Sequence, residues 1–188
     1  MPIYKLKATL DDTTNNNNIL NMGMIGNYLR ITKDELENYL ADSILLENRI
    51  YDDENHNDKN LIDVDKSWEG LFFLLTGKSL ATAEEASTPL LWILTPPQEI
   101  DPDQDMGYGP ATYTTIEQTK EVNNALNKIS VDELKDKYNG KLMLEMGIYP
   151  EVWNNHESLE YLIENFNTLK DFYNKAVADN QAVIIFIN

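Results

Sequence analysis

Three aspartates alternate at Asp101, Asp103 and Asp105 in the run DPDQDMG, and alternating carboxylates are how a calcium loop converges oxygens on its ion. The rest of that pattern is missing. Gly107 falls one residue late, and Thr112 stands where the bidentate glutamate belongs. The triplet is a weak metal candidate, and an ordinary acidic loop is the better reading. The second acidic segment, Asp52 to Asp63, has Asn57 where a calcium loop needs glycine. The only histidines, His56 and His156, lie in separate polar segments outside any HExxH or triad-like setting. No serine sits in GxSxG, and Ser130 has a capping role of its own. Gly107-Tyr108-Gly109-Pro110 is glycine-rich, but its proline lacks an amide donor and no lysine follows, which makes a poor phosphate cradle.

The richest remaining set is aromatic and acidic: Trp68, Tyr108, Tyr113, Tyr149 and Trp153, with Asp63, Asp65, Lys66 and Glu145 nearby in sequence. Brought together, these would line a concave site for a small polar or cationic ligand. The competing reading makes the two tryptophans core residues and leaves Asp65 and Lys66 to cap and decorate a helix. That reading is favoured, because aromatics at helix and turn positions usually serve packing.

The elements that must position these residues can be followed along the chain. Asp11 to Asn18 (DDTTNNNN) is polar and of low complexity, so residues 1–21 are expected to form a flexible extension and 22–188 the folded domain. Met24 to Ile31 suits a first strand. Thr32 with Glu35 forms a capping box that opens a helix through Leu36, Tyr39, Leu40, Ser43 and Ile44. Asp63 or Asp65 is placed to cap a strongly apolar helix that ends at Gly77. Ala111 to Ile116 reads as a strand, favoured by Thr112, Tyr113 and Thr114, and Thr115/Gln118 and Ser130/Glu133 are two further capping boxes. Lys141 to Met146 gives another helical turn. Glu157 to Ala178 holds the helical apolar period for about six turns, and Ala182 to Ile187 (AVIIFI) reads as a strand buried on both faces. The expected fold class is mixed α and β, either α+β or three-layer α/β: one domain with a small mixed sheet packed by about six helices.

Composition narrows the function classes. The chain has 188 residues, 15 Lys plus Arg against 32 Asp plus Glu, and a net charge of −17. A surface of that sign repels nucleic-acid phosphate and anionic lipid, so direct nucleic-acid and membrane binding are not expected. Cysteine is absent, which rules out disulfides, thiolate catalysis and Cys-ligated metals. The first ten residues lack a continuous apolar stretch, and no apolar run approaches the roughly 20 residues of a membrane span. A cytoplasmic protein without a cofactor is the expectation.

Four blocks carry a family resemblance: Met22-Gly-Met-Ile-Gly-Asn-Tyr28, Asp63-Val-Asp-Lys-Ser-Trp-Glu-Gly-Leu-Phe-Phe-Leu-Leu-Thr-Gly77, Gly107-Tyr-Gly-Pro-Ala-Thr-Tyr113 and Gly147-Ile-Tyr-Pro-Glu-Val-Trp153. In order and spacing they resemble the YfbM-like family of bacterial domains of unknown function. The resemblance implies a mixed α and β cytoplasmic domain, and it implies no activity, cofactor or catalytic residue. In that family the helix block often carries histidines where this chain has Glu69 and Phe72, so histidine chemistry in relatives does not transfer.

The leading functional expectation is a non-enzymatic interaction module that recognises a basic protein partner, in the manner of immunity proteins that neutralise basic toxins. The alternative is an enzyme or small-ligand binder that uses the aromatic and acidic set. A DNA-mimic acidic protein is the second alternative, and it would display its carboxylates in regular rows.

Overall fold

The AVIIFI run becomes the middle strand of the molecule. The computed structural model describes residues 23–51, 58–155 and 157–188. Its strands are β1 (Gly26–Ile31), β2 (Leu61–Asp63), β3 (Gln98–Glu99), β4 (Thr112–Thr114) and β5 (Ala182–Ile187). They form one sheet in the order β2-β1-β5-β4-β3. β1 and β5 pair along their full lengths, from Gly26 opposite Ile187 to Ile31 opposite Ala182. Where the sequence suggests mixed strand directions, every pairing is antiparallel. β2 and β3 are too short to carry a readable apolar pattern, and pairing with longer neighbours forms them.

Both faces of the sheet are covered, which gives three layers. Tyr28, Val183 and Ile185 point into one core with α3 (Trp68–Thr76), α4 (Ile116–Asn127), α5 (Val131–Lys137), α6 (Gly140–Glu145) and α7 (Ser158–Ala178). Leu29, Ile31, Ile184 and Phe186 point the other way, into a smaller core with α1 (Lys33–Ala41), α2 (Ile44–Tyr51), Ile100 and Met106. Strand side chains alternate between faces, so β1 and β5 are apolar on both. The mixed α and β class holds, with seven α-helices among the described residues.

The capping boxes at Thr32/Glu35, Thr115/Gln118 and Ser130/Glu133 all form, and Gly77 ends α3 in the left-handed conformation at φ 73°. Two expectations need correction. The helix after Thr32 does not run through Ile44: Asp42 turns extended, its N–H closes α1 on the Asn38 carbonyl, and its carboxylate accepts the Ile44 amide at 3.2 Å. Leu40 and Ile44 therefore stand 45% and 60% exposed instead of in the core. Neither Asp63 nor Asp65 caps α3. Asp63 ends β2 and accepts the Asp65 amide at 3.0 Å, and Asp65 opens a 3-10 turn before the helix.

The expected extension over 1–21 lies outside the described residues, as do Asp52 to Asn57 and both histidines. No helix among the described residues is long and apolar enough to cross a membrane.

Candidate functional site

Of the aromatic and acidic set, the fold brings Asp65, Lys66, Tyr108 and Tyr149 to one solvent-reaching cleft of about 580 Å³, together with Gly23, Met24, Pro150, Val152 and Tyr161. The other members go elsewhere. Trp68 and Trp153 are buried, Tyr113 packs at the edge of the smaller core, Asp63 is engaged with the Asp65 backbone, and Glu145 pairs with Lys141 on α6. The set therefore divides: the tryptophans are buried behind the lining, and Tyr108 and Tyr149 form part of the wall.

The buried rings explain the wall. Trp153 donates its indole N–H to the Ile148 carbonyl at 2.7 Å, and its ring reaches α3 because position 70 is glycine; a Cβ there would lie 2.6 Å from the ring. Trp68 donates to the Met24 carbonyl at 3.0 Å and stacks on Tyr149 with centroids 5.5 Å apart. Glu69 is buried, and its two oxygens accept the amides of Leu80 at 2.7 Å and Tyr149 at 2.9 Å. A buried carboxylate needs such donors; the second ties α3 to the loop that carries Tyr149, and the first to the segment that follows Gly77.

Electrostatics on the wall are uneven. Tyr161 donates to the Asp65 carboxylate at 2.8 Å, and burial, then that bond and the carboxylate charge, push its hydroxyl well above the usual tyrosine range. Asp65 is thus occupied. Lys66 forms no ion pair among the described residues. Tyr149 accepts the Met24 amide at 3.0 Å, which leaves its own proton free to donate. Asp65, in the lining, and Glu151, between the lining residues Pro150 and Val152, hold non-glycine left-handed backbone at φ 48° and 62°, a conformation that costs energy.

Sequence reasoning missed Tyr161. The one available signal was a tyrosine off the apolar stripe of α7. Gly23, Pro150 and Val152 carry no such signal, because cleft walls made of loop backbone have no periodicity.

The Asp101, Asp103 and Asp105 carboxylates do not converge on an ion position. Asp101 accepts Ser43 Oγ at 2.7 Å and the Asp103 amide at 3.0 Å, and Asp105 accepts the Gly107 amide at 2.9 Å. No group of three or more His, Asp or Glu among the described residues is placed to hold a metal. The same bonds seat this acidic loop against α2. Gln104 donates to the Ser43 carbonyl at 3.0 Å and to Glu47 at 3.2 Å, and Tyr51 donates to the Met106 carbonyl at 2.9 Å.

A family model described as a domain of unknown function (DUF1877) matches residues 22–186. The crystal structure of a protein of unknown function, YfbM from Escherichia coli, superposes with a TM-score of 0.65 at 21% identity, covering 87% of this chain and 99% of that one. Likeness at that identity establishes the fold alone. No curated protein matches the chain.

Proposed function

We propose, from the premise that the chain belongs to the DUF1877 family of domains of unknown function, that it acts by binding and that its α1–α2 face docks a basic protein partner. One observation carries this reading. Four of the eight large apolar side chains left exposed among the described residues, Leu40, Ile44, Leu45 and Tyr51, fall on this short stretch, where carboxylates surround them. Ile44 and Tyr51 share one side of α2. Asp42 precedes the helix, Glu47 lies on it, and the Asp101–Asp105 loop is bonded to its first residues. Of the two cations on these helices, Arg49 is held by Glu35 and Asp58, both at 2.8 Å, and Lys33 pairs with Glu37 at 3.5 Å.

A concentrated apolar surface rimmed by uncompensated acids fits an occupant with apolar anchors and a cationic surround. A basic amphipathic helix meets that description. Long-range attraction from a net charge of −17 speeds the encounter, and the apolar residues hold the complex.

The test is amide-shift mapping of the chain with a synthetic lysine- and leucine-bearing amphipathic helix, at low and at raised salt. Shifts centred on Leu40 to Tyr51 and Asp101 to Asp105 that weaken with salt support the proposal. Shifts spread over acidic residues throughout the molecule, or none on this face, overturn it.

A further inference from the structure

The cleft on the other side of the sheet has the opposite chemistry. We infer that it binds a small molecule carrying an oxyanion group, through the Lys66 ammonium and the Tyr149 hydroxyl. The sequence led to a polar or cationic ligand here; the placement of the free donors points to an anionic group instead. Asp65, the carboxylate among the lining residues, is engaged by Tyr161 at 2.8 Å, whereas the lining cation, Lys66, has no partner among the described residues.

The two donor heads converge on one point. A Cβ built on Gly23 would lie 2.7 Å from the Tyr149 hydroxyl and 2.8 Å from Lys66 Nζ, so both groups close over glycine backbone and any side chain at 23 would collide with them. The Tyr149 oxygen already accepts the Met24 amide. Its remaining role is to donate, alongside an ammonium that can only donate. Two such donors in a cleft of about 580 Å³ match an anionic group on a ligand of ordinary metabolite size. The tyrosine faces of Tyr108 and Tyr149 are left for the ligand's apolar or planar part.

The test is an amide-shift titration of the full chain with inorganic phosphate, succinate and choline. Phosphate or succinate is expected to give saturable shifts at Gly23, Met24, Lys66, Tyr149 and Val152, and the tighter of the two identifies the phosphate or carboxylate source. Choline is expected to give none. Lys66→Met should weaken binding about tenfold or more, because a charged donor is lost, while Lys66→Arg should stay within about threefold. Tyr149→Phe keeps the ring on Trp68 and removes only the hydroxyl, so it should also weaken binding and decides the matter if Lys66→Met misfolds. The inference fails if neither anion shifts these amides, if Lys66→Met or Tyr149→Phe binds like the parent chain, or if choline saturates the cleft.

Discussion

The helices on the two faces of the sheet use their apolar residues differently. On the thick side, α7 turns Leu162, Phe166, Leu169, Phe172, Tyr173 and Ala176 inward, and Tyr28, Phe172 and Tyr173 meet edge-to-face at 5.8–6.4 Å. On the thin side, α2 buries Leu46 and leaves Ile44, Leu45 and Tyr51 in water. Its smaller core is reinforced by a polar tie: Arg49 bridges Glu35 on α1, Asp58 before β2 and the Tyr39 hydroxyl at 2.8–3.0 Å. Burial alone serves one layer, while the other adds a charged staple to a smaller core. An element attached by a staple can keep an apolar face free for a partner, whereas one held by burial has spent that face on the fold.

The largest way to test this contrast is to cut the thick side. Trp153→Ala removes a ring that is 1% exposed and should cost about 4 kcal/mol, read as a drop in the urea midpoint of the whole molecule. Arg49→Met leaves Glu35 and Asp58 without their cation, and with all three groups part-exposed the loss should be about 2 kcal/mol. Hydrogen exchange should then accelerate in α1 and α2 while α7 keeps its protection. Equal acceleration in both would mean that the two layers are not held separately.

Acid should weaken the staple. Burial alone would raise the Glu35 and Asp58 carboxyls, but bonds from Thr32 and Arg49 hold Glu35, and bonds from Arg49 and Asn60 hold Asp58, below the usual carboxylate range. Their contribution is full above the unfolded carboxylate value near pH 4 and is lost as pH falls through the lower folded values. The urea midpoint should therefore fall between about pH 5 and pH 2, and Arg49→Met should flatten that fall. Smallest of all, Ile44→Asp at a 60% exposed position should change stability by less than about 0.5 kcal/mol.

Elements with strong local codes were legible in the sequence. The capping boxes and the period of α7 rest on interactions within a few residues, and the AVIIFI strand announces itself as a continuous apolar run of strand length. The break at Asp42 was not legible, because Leu40 and Ile44 continue the helical period and only the Asp42 carboxylate's bond to the Ile44 amide ends it. The cleft was half legible. Tyr108, Tyr149 and Asp65 stood out as chemistry-bearing types, but the division of buried rings from wall depends on Gly70 admitting Trp153 and on Glu69 bonding the Tyr149 amide across 80 residues. Nor was it readable which of the adjacent Asp65 and Lys66 would be left without a partner, since that depends on Tyr161 reaching Asp65 across 96 residues.

The central claim is that the α1–α2 face holds its partner by apolar contact inside an acidic rim. The most direct measurement is the affinity of the Ile44→Asp chain for the basic amphipathic helix against that of the parent. The substitution adds a negative charge, so general attraction between acidic protein and basic peptide would leave binding unchanged or tighten it. Docking on the apolar face predicts about a tenfold loss, from one isoleucine that no longer buries. Unchanged or tighter binding would contradict the account.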